Sequence, residues 1–419
     1  MKYLFTLSVL LLLNISVLAQ DRPSDSFNMA IAITDADAED YLAPLKMLKN
    51  IPIAQEDQAG LSMWLQAMTT YYSFLGDYDS TLYYSDQRYL SIIDSLKVEC
   101  DTAFVKTHEF IDAADYIISQ SAKHQITMMN EAHHIPYHRA FVTEMLRGFY
   151  NAGYRYLAVE TLEDSMINSS GEFSYKTGYY SREPLFGELM RHGLHLGFQL
   201  VPYESKQPCD NKGADRNYCN SFRDSVMAVN LGKIIAKDPQ AKILVYAGYD
   251  HIHKGNANGW KKMGQYIKQI TGIEPFAIDQ TKEIEHFYPQ LETKEFTAVN
   301  NLRQISRPVI AMNDGKAWHG EFVDVSIIFP RYRGEARPGF YQIAGLRKPY
   351  KVKFEQLTQG QTVQAFYANE APGWRIPADQ YLVSDKDNVL YLFPGRYHIE
   401  IKNSDGEILV KEEVIVKGL

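Results

Sequence analysis

The chain has 419 residues, 45% of them apolar and 22% charged, with 29 Tyr and 20 Phe. That length suits two or three globular domains better than one. The formal net charge is −8, and both signs are mixed along the sequence with no basic stripe, which argues against a nucleic-acid partner.

Residues 1–19 read as a signal peptide. Lys2 supplies a short positive start, Leu4 to Leu13 is almost wholly apolar, and Val17-Leu18-Ala19 precedes a cut near Ala19. The alternative is an uncleaved anchor, for which the run is only marginally long. The mature protein is therefore expected to be exported, to the periplasm, the cell surface or beyond. Residues 20–100 are expected to be helical, with Trp64, Met68 and Tyr71 at helical spacing. The turn Phe74-Leu75-Gly76-Asp77-Tyr78-Asp79, followed by Thr81-Leu82-Tyr83-Tyr84, resembles one tetratricopeptide (TPR) hairpin. A single hairpin cannot bury its own faces, so it should pack on the next domain.

Residues 101–332 alternate helices with apolar strands, at Ile126 to Met129, Tyr156 to Val159, Phe198 to Val201 and Ile243 to Ala247. Helices open near Pro136, with Phe141, Met145, Leu146 and Phe149 on one face, around Leu185 to His192, and over 222–236. The fold class expected is α/β, a mostly parallel sheet with helices on both faces. Cys209 and Cys219 flank a polar loop. In an exported protein they are expected to form a disulfide worth about 2–3 kcal/mol, which leaves Cys100 as a buried apolar filler. Residues 333–419 change texture. Tyr350-Lys351-Val352-Lys353-Phe354 and Tyr397-His398-Ile399-Glu400-Ile401 alternate apolar with polar, and Pro-Gly pairs punctuate them. This predicts a small antiparallel β-domain, a sandwich.

Ligands of a parallel sheet sit beyond the carboxyl ends of its strands, and those ends share a chemistry here. The first strand is followed by Asn130-Glu131-Ala132-His133-His134-Ile135-Pro136-Tyr137-His138-Arg139. The second is followed by Glu160, with Glu163 and Asp164 behind it, the third by Glu204, and the fourth by Gly248-Tyr249-Asp250-His251-Ile252-His253. Eight of the twelve histidines lie between 124 and 253, and five of them belong to the first and fourth strand ends. Imidazole with carboxylate can bind a divalent metal or activate water as a base and its orienter. The catalytic candidates are Glu131, His133, His134, Glu160 and His251. His138, Arg223, Asp224, Tyr249 and His253 are ligand-contacting candidates, and a metal would take Glu131, His133 and His251. Each has a plainer alternative. Glu131 could cap the following helix, Glu160 could pair with an arginine, His138 could lie on a solvated helix face, and His133 and His134, as neighbours, point in different directions. His192 and His195 are expected to be structural. Cysteine-rich metal spacing, His-Glu-x-x-His, Gly-x-Ser-x-Gly and a glycine-rich phosphate loop are all absent.

These stretches resemble the superfamily that joins erythromycin esterase-like proteins, ChaN-like haem-binding proteins, TraB and the Tiki metalloproteases. Asn130-Glu131-Ala132-His133-His134 stands where the family has Gly-Glu-x-His or Gly-Glu-x-x-His, with Asn130 in place of glycine; His133 fits one spacing and His134 the other. Ala158-Val159-Glu160 resembles the second acidic strand end of the esterases. Phe222-Arg223-Asp224-Ser225-Val226-Met227-Ala228-Val229-Asn230 is similar to an Arg-Asp-x-x-Met-Ala-x-Asn helix, and Gly248-Tyr249-Asp250-His251 to a late Gly-x-x-His motif. The resemblance covers about 110–330. It implies either hydrolysis of an ester, lactone or peptide bond by activated water, with or without a divalent metal, or haem or metal binding without turnover, His133, His138 or Tyr249 being axial ligands. A third reading is a scaffold whose helical segment or C-terminal β-domain binds a protein partner. A small-molecule or peptide ligand is expected under the first reading.

Overall fold

A computed structural model of the chain describes residues 25–53, 57–163, 165–209, 216–335, 337–352, 357–384 and 388–418. The expected signal peptide, Asp164, the tip of the cysteine-flanked loop and the Lys353-Phe354 pair lie outside the described residues. Among these residues no helix is long and apolar enough to cross a membrane.

The chain opens with helices α1 (Ser26–Ala36), α2 (Ala43–Lys49), α3 (Gln58–Phe74), α4 (Tyr78–Asp86) and α5 (Leu90–Ile93). Asp57 and Asp77 start α3 and α4 by accepting the amides of Gly60 and Ser80 at 2.8 and 3.0 Å, which satisfies helix-end donors. Gly76 ends α3 at φ +72°, and a Cβ there would lie 2.6 Å from Arg337 Nη1, so both the turn and the close approach require glycine. As expected, this helical segment packs on the rest of the chain. Tyr78 and Leu82 join the main core, and Asp86 accepts the amides of Phe287 and Tyr288 at 2.7 and 3.2 Å.

Next come α6 (Thr102–Thr107), β1 (Glu109–Asp112), α7 (Ala113–Ser121), β2 (Ile126–Glu131), α8 (Pro136–Asn151), β3 (Tyr156–Val159), α9 (Ile167–Ser170), α10 (Pro184–Leu196), β4 (Gln199–Pro202), α11 (Arg216–Lys237) and β5 (Ile243–Gly248). The hairpin β6 (Asn256–Ala257) and β7 (Trp260–Lys261) leads to α12 (Met263–Thr271), β8 (Phe276–Glu283), α13 (Lys294–Arg303), β9 (Val309–Asn313), β10 (Lys316–Ala317) and β11 (Val325–Ile328). One nine-stranded sheet runs β1-β9-β11-β8-β2-β5-β3-β4, with β10 on β9. From β11 to β4 every neighbouring pair is parallel, and β9, β1 and β10 pair antiparallel at one edge.

Burial on both faces explains why β5 reads as an unbroken apolar run. Leu244 and Tyr246 enter the core under α8 and α10, whereas Ile243, Val245 and Ala247 enter the core under α11 and α12. The expected α/β architecture is present. Its parallel strands all deliver their carboxyl ends to one edge.

The C-terminal part forms antiparallel sheets. A ribbon pairs β12 (Lys348–Tyr350) with β15 (Leu390–Leu392), and a four-stranded sheet takes β13 (Thr362–Tyr367), β14 (Asp379–Leu382), β16 (Gly395–Lys402) and β17 (Ile408–Val416) in the order β14-β13-β16-β17. Cys209 and Cys219 form the expected disulfide, Cα to Cα 5.6 Å, which ties the loop to the first turn of α11. Cys100 is exposed, not buried as expected. It lies after α5 in an irregular stretch that no core covers.

Candidate active site

β2 and β5 lie side by side with Glu131 opposite Gly248, and β3 flanks β5 with Val159 opposite Tyr246. Glu160 therefore leaves its strand beside the end of β5. Its amide donates to Tyr246 O at 3.2 Å, and its Oε2 accepts the Gly248 N–H. Asn130 is fully buried and acts as a wedge in place of glycine. Its Nδ2 donates to Tyr249 O at 2.7 Å and to Asp279 Oδ1 at 2.6 Å, while its Oδ1 accepts the Gln280 amide at 2.7 Å.

The first acid–imidazole pair is Glu131 with His133, whose Nδ1 lies 2.7 Å from Glu131 Oε1. Arg139, in the first turn of α8, grips the same carboxylate twice, Nε to Oε2 at 2.7 Å and Nη2 to Oε1 at 2.8 Å. Its Nη1 reaches Glu183 at 3.0 Å, and Glu183 caps α10 through the amides of Leu185 and Phe186. Burial would raise the Glu131 carboxyl, but the Arg139 guanidinium outweighs it and holds the carboxyl well below the usual range. For Glu183 burial prevails over Arg139 and the cap amides, and its carboxyl is raised. Because Glu131 only accepts, it keeps the His133 proton on Nδ1 and leaves Nε2 as the free nitrogen. The ring stacks on Tyr180 at 4.0 Å and meets Tyr249 edge-on at 5.1 Å.

Asp224 and His251 form the second pair. His251 Nδ1 hydrogen-bonds Asp224 Oδ1, and Trp260 Nε1 donates to the other carboxylate oxygen at 3.3 Å. His251 Nε2 lies 3.2 Å from Arg223 Nη1 and 3.9 Å from Glu160 Oε1. Arg223 also reaches Glu160 at 2.8 Å and, through Nε, Glu204 at 2.9 Å. Burial pulls His251 down, but the Glu160 and Asp224 carboxylates outweigh it and raise its pKa. Burial pushes Glu160 up, but His251, His133, Arg223 and the Gly248 amide bring it down to about 2.

Glu160 joins the two pairs. Between them Glu131, His133, Glu160, Thr161, Tyr180 and Gly248 line a cleft of about 10 Å³, roughly the room one water molecule needs. Gly248 is what keeps it open, since a Cβ there would lie 2.6 Å from His133 Nε2 and 3.3 Å from Glu160 Oε2. Gly248→Ala should therefore displace His133 and fill the water seat. The expected result is a shifted His133 imidazole resonance with at most about 1–3 kcal/mol of stability lost to overpacking, read by histidine NMR beside a urea midpoint. Glu160 carries a separate prediction. A carboxylate depressed from its ordinary 4.5 to about 2 stabilises the fold fully above pH 4.5 and loses that stabilisation as pH falls towards 2. The amount is about 3 kcal/mol. Glu160→Gln should flatten the urea midpoint's fall over that window; an unchanged slope would show that Glu160 is not held this way.

Several expected site residues stand elsewhere. His134 turns away from His133, with Nε2 3.2 Å from Ser85 Oγ, and burial keeps its pKa well below the usual value. His138 is fully buried rather than on a solvated face. It accepts the Ala132 amide on Nδ1 at 3.0 Å, and burial pushes its pKa down to about 3, so it shapes the strand end. His253 lines a neighbouring cavity with Tyr249, because His251 turns inward to Asp224. Tyr249 lines that cavity, and its ring meets His133 edge-on. Glu163 is 62% exposed beside Lys206 and plays no part. His192 packs flat on Phe393 at 5.0 Å, with His195 beside it, as expected of structural residues. Arg223 and Asp224, expected to contact a ligand, instead bond side chains of the site, Arg223 to Glu160 and Glu204 and Asp224 to His251. Arg139, Glu183 and Tyr180 were missed; the one local signal was Glu183-Pro184, an acid followed by proline at a helix start.

A metal on Glu131, His133 and His251 does not fit this donor set. Both Glu131 oxygens already hold the Arg139 guanidinium, which takes the place of a cation, and His251 faces Arg223 and Asp224. Among the described residues no group of three or more His, Cys, Asp or Glu side chains is arranged to hold a metal ion. A haem on His133 or His138 does not fit either, because His138 is sealed in the core and the cleft against His133 has room for one water.

No family model and no curated protein matches the chain. Among solved structures it is similar to the type III effector HopBA1, at 15% identity over 40% of this chain and 82% of that one, with a TM-score of 0.27. It is also similar to RRSP, a MARTX toxin effector domain from Vibrio vulnificus CMCP6, at 15% identity over 60% and 64% with a TM-score of 0.28. The C-terminal region of Pasteurella multocida toxin, described as holding a thiol-protease like catalytic triad, matches at 11% identity over 78% and 40%, again at 0.28. The chain thus spans 82%, 64% and 40% of these neighbours, and likenesses this shallow carry no argument about mechanism.

Proposed function

We propose that the chain is a hydrolase that activates water without a metal, of the erythromycin esterase-like kind, acting on an ester, lactone or peptide bond. The observation that carries the reading is His133. Its Nδ1 is held by an Arg139-clamped Glu131, and its Nε2 faces a one-water seat shared with Glu160. In the proposed reaction Nε2 takes a proton from the seated water as its oxygen attacks the acyl carbon. Glu131 steadies the imidazolium that forms. Glu160 orients the water, and Arg223, held by His251 Nε2 and by Glu160, offers its remaining N–H to the developing oxyanion. His133 then returns the proton to the leaving oxygen or nitrogen as its bond to the acyl carbon breaks, giving an acid and an alcohol or amine.

The disulfide and the signal-like residues 1–19 support export. The helical segment, TPR-like in sequence, and the C-terminal sheets, sandwich-like, are proposed as props for the site. In support, Arg375 pairs with Glu39 at 2.7 Å and with Glu400 at 2.9 Å, joining the two modules. The test is a panel of esters, lactones and peptides offered to the purified protein and to Glu131→Gln. Turnover by the first and not the second is expected; no turnover of any class by the native protein would sink the reading.

A further inference from the structure

Beside Tyr249, the residues after β5, the second half of β8 and the segment leading into β11 border a cavity of about 720 Å³, a size suited to a small molecule. The steps above do not use it. Asp279 lines it and is 2% exposed. Three donors converge on Asp279 Oδ1: Asn130 Nδ2 at 2.6 Å, Thr281 Oγ1 at 2.8 Å and the Thr281 amide at 3.1 Å. Among the described residues none donates to Oδ2, and no cation pairs with the carboxylate.

Glu321 lines the same cavity, also without an ion pair among the described residues, whereas the lining Asp250 has Lys262 at 2.8 Å and burial raises the Glu283 carboxyl to about 7. Lys282 is the one lysine in the lining, so carboxylates outnumber cations. A buried carboxylate without a counter-charge is costly, and a cation from outside would relieve that cost. The remaining walls suit such a guest. Trp318, Phe322 and Tyr249 border the space, the last two 41% and 45% exposed, and aromatic faces attract organic cations.

We propose that this cavity binds an organic cation, an alkylammonium or quaternary ammonium group, with Asp279 as its counter-charge and the aromatic side chains as its walls. Taking that cation as part of the substrate rests on the hydrolase reading. The Tyr249 ring stands 5.1 Å from His133, so a group seated here leaves an attached acyl bond within reach of the cleft.

Titration calorimetry at low salt with choline and its uncharged isostere 3,3-dimethylbutan-1-ol tests this. Choline is expected to bind about tenfold tighter or better. Asp279→Asn should abolish the preference, and His133→Ala should keep it. Because Asp279 also holds Asn130, Glu321→Gln at an exposed position serves as a second variant and should weaken the preference about twofold. Equal affinities for the two probes, or binding of neither, would overturn the proposal. A choline preference with no cleavage of any choline ester leaves the cavity assignment standing and overturns the cation as part of the substrate, while the ester, lactone and peptide panel decides the hydrolase reading separately.

Discussion

His133→Ala is expected to lower kcat by about 100- to 10,000-fold, the range that general-base catalysis supplies. The fold should survive, because the ring is 20% exposed and its packing partners are Tyr180 and Tyr249 at the cleft wall. The neighbouring histidine is the control. His134→Ala removes a contact with Ser85 and should leave kcat within about twofold, since a change that touches none of the cleft's side chains acts on stability. Steady-state kinetics on whichever substrate class the panel finds, with a circular dichroism spectrum of each variant, decides it. Equal losses in the two variants would mean that the turn as a whole is needed, and not the Nε2 of His133.

Arg139→Met should be the most destabilising single change at the site, by about 3–5 kcal/mol. The methionine fills a similar volume but leaves Glu131 and Glu183 facing each other, 2% and 1% exposed, with no guanidinium between them. Without it, burial drives both carboxyls towards their protonated forms, and Glu131 can no longer steady His133. Adding Glu131→Gln and Glu183→Gln removes the buried charge and should restore a large part of the lost stability without restoring turnover. Urea midpoints for the single and triple variants measure this. A triple variant no more stable than Arg139→Met would show that the arginine acts through packing alone, an outcome worth separating because its guanidinium lies 4.9 Å from the Phe186 ring centroid.

The parts of this site that are legible in sequence are those written locally. Largely apolar runs mark β2, β3 and β5, and the first few residues after each run are at the working edge by topology alone, which is why Glu131, Glu160 and His251 can be placed together before any coordinates. Which of His133 and His134 faces inward is not written in the run, because a turn after a strand has no periodicity to fix side-chain direction. Arg139 and Glu183 escape notice for a different reason: their meaning lies in a bond across 44 residues, and each alone looks like an ordinary helix charge. β8 is hidden because Phe276-Ala277-Ile278 gives way to Asp279-Gln280-Thr281-Lys282, polar residues that a strand tolerates here because Asn130 and the neighbouring cavity accept them. The burial of His138 is equally hidden, because helix periodicity near Pro136 cannot show that the first turn of α8 is sealed beneath Phe329, 5.1 Å away.

The central claim is that a water, not a protein side chain, attacks the acyl group. A single turnover in oxygen-18 water, with protein in excess over a cleaved ester, tests it most directly by mass spectrometry of the acid released. One label in that acid after the first turnover is the predicted result. An unlabelled acid, with the label appearing instead on a Glu160 peptide, would show that the carboxylate had attacked first, and would contradict the role given to His133.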